Sequence, residues 1–117
     1  MGYVDGFVIP VPKKNLRAYA AMSKKARKVW MEHGALEYRE CSGDDLKCPG
    51  MVSFTKLAKT KPGETVVFAW IVYKSKAHRD AVNKKVMADP SMKEMPPSMP
   101  FDVNRMMYGG FRVFVEG

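Results

Sequence analysis

The stretch Thr65–Tyr73, Thr-Val-Val-Phe-Ala-Trp-Ile-Val-Tyr, constrains the fold more than any other part of this chain. β-Branched and aromatic residues fill it, and no Gly or Pro interrupts it, which is the composition of a strand. Side chains of a strand alternate between two faces. Val66, Phe68, Trp70 and Val72 therefore share one face, and Val67, Ala69, Ile71 and Tyr73 share the other. Both faces are apolar, so both need a cover. Helices of the same short chain can cover one of them. Something else must cover the other.

The 117 residues read as a single domain over 1–117, long enough to bury a core without staples. No apolar run approaches the length of a membrane helix, and the N-terminus lacks the basic-then-apolar pattern of a signal peptide. A cytoplasmic protein with no membrane partner is expected. Cys41 and Cys48 are expected to be ordinary thiols, because a disulfide does not suit a reducing compartment and two cysteines are too few for a metal site. Twenty Lys and Arg against twelve Asp and Glu give a net charge of +8, which raises nucleic acid as a partner. The basic residues lie mostly on the outer faces of two predicted helices, from Lys13 to Lys28 and from Lys76 to Lys85, where charge is usually solvated. There is no RNP-type aromatic motif, zinc finger or Gly-rich clamp. Nucleic acid is the weakest of the partner readings; the charge serves solubility or favours an anionic small ligand.

In chain order, Tyr3–Val11 reads as the first strand. Asp5 sits in it among apolar residues of both parities, either at a wet edge or paired inside with Arg105 or Arg112. Asn15 is placed to cap a helix over Leu16–His33 that stops at Gly34. Leu16, Tyr19, Ala20, Ser23, Ala26, Trp30 and His33 form its inward stripe, so Trp30 and His33 are neighbours on the buried side. His33 either caps the last carbonyls or titrates there, its cation favoured by the helix dipole. Ala35–Cys41 reads as a second strand, polar enough for a sheet edge. A turn-rich insertion at about 42–64 follows, in which Met51–Leu57 alternates weakly and could add a short strand. After the Thr65–Tyr73 strand, Ser75 caps a helix over Lys76–Ala88 that Asp89-Pro90 ends. Ser91–Asn104 is a proline-stiffened loop. Its Met92, Met95, Met99 and Phe101 need a surface, whether as a wrap of the core or as a lid over a pocket. Arg105–Val115 is the last strand, and Gly109-Gly110 inside it signals a bulge or a close approach.

The order β-α-β-β-α-β is a ferredoxin-like α+β sandwich. Two helices on one face of a four-stranded antiparallel sheet leave the second face bare, and here that face is apolar. A second copy about a two-fold axis is its simplest cover. The predicted partner is thus the protein itself, as a homodimer through the open sheet face, fastened in part by the insertion.

Four blocks of the sequence are similar to the YbaA-like bacterial proteins, a domain-of-unknown-function family. They are Tyr3-Val4-Asp5-Gly6-Phe7-Val8, Val29–Tyr38 with Trp30, His33 and Gly34, Val67–Ser75 followed by His78-Arg79-Asp80, and Met106-Met107-Tyr108-Gly109-Gly110-Phe111. The resemblance runs over nearly the whole chain. It implies a dimeric α+β barrel, the superfamily that also holds antibiotic-biosynthesis-type monooxygenases and haem-degrading enzymes, and it implies no assigned activity. Enzymes of that superfamily hold substrate between sheet and helices within each subunit, which calls for an apolar pocket with a few polar groups. In this sequence the candidate acid or base is His33, and the candidate ligand-binding residues are Trp30, Tyr38, Trp70, Arg105 and Tyr108.

Two functions follow with equal claim on these residues. One is a monooxygenase-like enzyme acting on a small apolar or aromatic molecule; the other is a dimer that binds a small molecule without turnover. No cofactor and no metal are predicted. Haem would need an axial ligand, and neither His33 nor His78 lies in a haem motif.

Overall fold

The structure, a computed structural model, describes residues 2–117. The apolar stretch at the centre of the sequence becomes strand β3 (Glu64–Tyr73), flanked in the sheet by β1 (Tyr3–Pro12) and β2 (Glu37–Ser42). The fourth strand, β4 (Met107–Arg112), lies beyond β1, giving the order β2-β3-β1-β4 with every neighbouring pair antiparallel. This is the ferredoxin-like strand order. Helices α1 (Leu16–Glu32) and α3 (Lys76–Ala88) cover one face, and a single helical turn, α2 (Phe54–Leu57), sits in the insertion.

Alternation sorts the side chains as the sequence requires. Val67, Ala69, Ile71 and Tyr73 are buried beneath the helices, where Tyr73, Val82 and Val86 are 0–1 % exposed. Burying a side chain of this kind contributes about 1.5–3 kcal/mol. Register carries the same face across the sheet: Asp5 is opposite Ile71 and Phe7 opposite Ala69, Tyr38 opposite Ile71 and Glu40 opposite Ala69, and Phe7 opposite Tyr108. Val4, Val8, Phe68, Trp70, Met107 and Phe111 therefore take the other face, which neither α1 nor α3 covers and on which only the short α2 sits, with Phe54 5.9 Å from Phe68. Phe68 remains 44 % exposed and Phe111 61 % exposed.

The chain is also flatter than a compact domain of its length. Its extents are 39 × 38 × 21 Å and its radius of gyration is 15.1 Å, against about 13.4 Å for a compact domain of this length. It exposes 8153 Å², whereas a compact 13.2 kDa monomer exposes about 6,400 Å².

Several local expectations are corrected. Met51–Leu57 gives a helical turn, not a strand, because the Ser53 hydroxyl accepts from the Lys56 N–H at 3.2 Å and caps Phe54–Leu57. Asn15 stands at the start of α1 but does not cap it; its Nδ2 donates to the Pro100 carbonyl at 3.0 Å and ties down the 89–106 segment. Arg105 belongs to a 3-10 turn (Val103–Arg105) ahead of β4, set by Asp102, whose carboxylate accepts from the Asn104 N–H at 3.0 Å. No bulge forms at Gly109-Gly110; the β1–β4 register runs through it unbroken. The glycine signal reports a close approach, since a methyl group on Gly110 would run into the Tyr3 ring.

Asp5 is neither at a wet edge nor paired with Arg105 or Arg112. It is 2 % exposed, and Arg79 Nη1 donates to its Oδ1 at 2.7 Å. Register explains the choice. Asp5 lies near the start of β1, where α3 begins overhead, while Arg105 is at the far end beside Glu64, the partner of Pro12. There Arg105 grips Glu64 through two bonds, Nη1 to Oε2 at 2.7 Å and Nη2 to Oε1 at 2.9 Å, and holds the Lys59 carbonyl at 2.9 Å. Hydrogen bonds from Arg105 pull the Glu64 carboxyl from its usual 4.5 down to about 2. A depressed carboxyl stabilises the fold above the unfolded value and loses that contribution as pH falls through the folded one. Glu64→Gln should therefore lower stability at pH 7, and the gap to the parent should close between pH 4.5 and about 2, as read by denaturant melts across that range.

Candidate functional site

The helices do not rest flat on the sheet. A cavity of about 400 Å³ lies between them, under the 89–106 segment. Helix α1 contributes Met22, Ala26 and Trp30, and α3 contributes Asn83 and Met87. The floor is Phe7, Ile9, Ala69 and Ile71, and Met92, Met95, Met99 and Phe101 form the roof. Together with Met106, six thioethers line one space. Thioether side chains are unbranched and polarizable, so they fit ligands of varied shape. The loop methionines thus border the cavity, and the segment also wraps the core, where Met92 and Phe101 pack.

Polar groups enter the cavity at three places. At the β2 end, Glu40 accepts from the Tyr19 hydroxyl at 2.6 Å, from the Ser23 hydroxyl, and from the Tyr38 hydroxyl at 3.3 Å. Tyr38 and Ser23 also share a hydrogen bond at 2.9 Å. Burial pushes both Tyr19 and Tyr38 well above the ordinary tyrosine range, so both phenols are protonated donors at neutral pH. The same four residues border a second cavity of about 390 Å³ between α1 and the edge strand β2. The Glu40 network is the partition between the two. In the middle, Asn83 Oδ1 accepts from Trp30 Nε1 at 3.1 Å and from the Tyr73 hydroxyl at 3.3 Å. At the β4 end, Arg79 bridges Asp5 and the Tyr108 hydroxyl, both at 2.7 Å, with its guanidinium over the Tyr3 ring at 5.0 Å. Burial raises the Asp5 carboxyl above 3.8 even though Arg79 pulls the other way.

Of the residues singled out in the sequence, Trp30, Tyr38 and Tyr108 meet at this cavity. His33 and Arg105 go elsewhere, and Trp70 borders the cavity with its indole turned away from it. His33 lies outside the lining: it ends α1 and its Nε2 meets Asp89 Oδ2 at 2.7 Å, pinning the start of the 89–106 segment. Arg105 is engaged with Glu64, as described above. The strand passes the cavity at Trp70, but the indole is turned to the open face, where Nε1 donates to Glu37 at 3.2 Å and the ring lies 5.6 Å from Phe68. Glu40, Asn83, Asp5 and Arg79 were not among those candidates. The signal for Glu40 was present: it stands two residues after Tyr38, hence on the same strand face, and Ser23 interrupts an otherwise apolar stripe four residues after Tyr19. Asn83 gave no such signal, because its role comes from where α3 crosses α1.

No group of His, Cys, Asp or Glu among the described residues is arranged to hold a metal ion. Nor is any helix among them long and apolar enough to cross a membrane. Cys41 and Cys48 are both free thiols.

The molecule is an α+β protein with a ferredoxin-like sheet, helices on one face and a methionine-roofed cavity beneath them. The chain belongs to the family described as "Protein of unknown function (DUF1428)", whose model matches residues 2–103. It is 47% identical over 116 residues to uncharacterized protein YbaA of Escherichia coli strain K12, covering 99% of both chains, and to the same degree to YbaA of Shigella flexneri. Among solved structures, an uncharacterized NIPSNAP domain protein from Burkholderia xenovorans superposes with a TM-score of 0.61. That match covers 96% of this chain and 94% of the other at 12% identity, so what the two share is the fold.

Proposed function

We propose that this protein is a homodimer in which each subunit binds a small, largely apolar molecule between sheet and helices. The observation that carries the reading is the cavity itself. It has the size of a small-molecule site, walls that are mostly apolar, and a few fixed polar groups, which is the usual make-up of such sites. The dimer reading draws support from the uncovered face bearing Phe68, Trp70 and Phe111 and from the surplus of exposed surface over a compact monomer. The surplus, about 1,700 Å² per chain by the scaling above, matches a large obligate interface. Phe54, from the insertion, lies 5.9 Å from Phe68 and extends that face. A dimer of this kind is the dimeric α+β barrel. Free cysteines suit a reducing, cytoplasmic setting.

Binding without turnover fits the geometry better than catalysis. His33, the group suited to acid–base work near neutrality, is engaged with Asp89 outside the cavity, and the wall hydroxyls are held protonated. The second reading, a monooxygenase-like reaction, has in its favour that Glu40 is a carboxylate at the cavity wall within reach of a bound molecule. Oxygen consumption on adding a bound ligand would select it. The binding reading is tested by filling the space. Ala26→Phe adds a ring where α1 lines the cavity and should abolish the thermal upshift given by an aromatic probe such as 2-isopropylnaphthalene, while leaving the dimer and the helical signal intact. A filled variant that binds as well as the parent overturns the proposal.

A further inference from the structure

We infer that Asn83 recognises the ligand, and that the ligand is a neutral aromatic or conjugated compound carrying a carbonyl oxygen. The inference rests on the cavity reading above and deepens it. An indole N–H can only donate. The 3.1 Å contact from Trp30 Nε1 therefore must be to the oxygen of the Asn83 side chain, not its nitrogen. The Tyr73 hydroxyl reaches the same oxygen at 3.3 Å, and Tyr73 is fully buried with its phenol pushed above its usual range by burial, so it too donates. Two donors from two different elements, α1 and β3, thus lock the amide in one orientation.

The lock leaves the amide nitrogen on the other side. Nδ2 has no protein hydrogen-bond partner among the described residues, yet it is not sealed in, because no buried side-chain nitrogen or oxygen lacks a partner. Asn83 lines the cavity. Its NH2 group is therefore a fixed, unspent donor on a residue that lines an apolar space, whereas the hydroxyls around Glu40 and the Asp5–Arg79–Tyr108 group are spent on one another. An open donor in such surroundings selects a molecule with an acceptor and penalises one without it.

Charge narrows the class further. The charged residues lining the cavity are Asp5, Glu40 and Arg39; Arg39 is paired with Glu37 at 2.6 Å, and Arg79, behind Asp5, is committed to Asp5, Asp80 and Tyr108. Among the described residues no cation at the cavity is left free to pair with an anion, and Glu40 would repel one, so a neutral carbonyl is the better match. The bound carbonyl lies beside the Trp30 indole, and the body of the molecule is held by Met22, Met92, Met95 and Met99. This is the reverse of what the +8 charge suggests, because that charge sits on outer surfaces.

The test compares 2-acetylnaphthalene with 2-isopropylnaphthalene, near-isosteric molecules that differ by the carbonyl. On the intact protein the ketone should bind about three- to tenfold more tightly, and the carbonyl stretch of the bound ketone should move to lower wavenumber than in hexane. Asn83→Asp keeps an acceptor for Trp30 and Tyr73 but removes the donor; it should erase the preference and the stretch shift while the hydrocarbon still binds. The infrared measurement on the parent protein stands even if that variant folds poorly. Equal binding of both probes, with a carbonyl stretch like that in hexane, overturns the role of Asn83 and leaves the cavity reading in place. Binding of neither probe overturns both.

Discussion

Replacing Arg79 by methionine is expected to cost about 3 kcal/mol of folding stability at neutral pH, among the largest effects of any single change outside the apolar core. Asp5 is 2 % exposed near the start of an apolar strand, and Arg79 is its ion-pair partner at 2.7 Å. Methionine keeps much of the side-chain length and apolar stem but leaves the carboxylate buried and alone. Burial already raises the Asp5 carboxyl above its usual 3.8, with Arg79 opposing the rise. Taking Arg79 away moves that folded value further up. A raised carboxyl contributes stability below its unfolded value and loses it as pH rises through the folded one. The deficit of Arg79→Met should therefore be largest at neutral pH and shrink as pH approaches 3.8. The double variant Asp5→Leu with Arg79→Met should recover most of the loss, because replacing both members of a buried pair by apolar groups is often neutral. Denaturant melts at fixed protein concentration check both variants against the parent. A pH-independent loss, or a double variant no better than the single one, would place the effect in packing and not in the charge pair.

Phe68→Lys is expected to separate the proposed homodimer without unfolding the subunit. Phe68 lies in the middle of the uncovered face, 5.6 Å from Trp70 and 5.9 Å from Phe54. It is 44 % exposed, so the helix-side core does not depend on it. In a face-to-face dimer it sits near the centre, where aromatic residues dominate binding and a buried charge is most costly. A loss of about 2 kcal/mol or more, roughly thirtyfold in the dissociation constant, follows. Sedimentation velocity should show the parent as a dimer at micromolar concentration and the variant as a monomer with an unchanged far-ultraviolet spectrum. A parent that is monomeric, or a variant still fully dimeric, would contradict this use of the face.

The layers of the fold were legible because they depend on local rules. Alternation in β3 assigned Ile71 and Tyr73 to one side and Phe68 and Trp70 to the other, Ser75 marked the start of α3, and Gly34, at φ 110°, marked the end of α1. The order of elements then implied the sheet. The long-range polar choices were less legible. Asp5 could be recognised as needing a partner, but the partner depends on which end of β1 lies under α3, and that is a matter of register. His33 and Trp30 share a helix face, yet only Trp30 reaches the cavity, because the last turn of α1 runs past its edge to Asp89. Arg105 looked like a strand residue free to face a ligand; the Asp102 turn before β4 directs it to Glu64 instead. Asn83 was invisible for a related reason: an amide becomes a recognition group only once Trp30 and Tyr73 have fixed which way it points.

For a small molecule bound in the cavity under the 89–106 segment, the protein carries its own reporters. Of its ten methionines, Met22, Met87, Met92, Met95, Met99 and Met106 line the cavity, while Met51 lies in the insertion and Met107 on the open sheet face. Methionine-methyl ¹³C NMR during titration with 2-isopropylnaphthalene reads all of them at once. The six cavity methyls should shift together and saturate at one probe per chain, with Met51 and Met107 unmoved. Cavity methyls that stay still while the probe shifts Met51 or Met107, or shifts that never saturate, would contradict a binding site between sheet and helices.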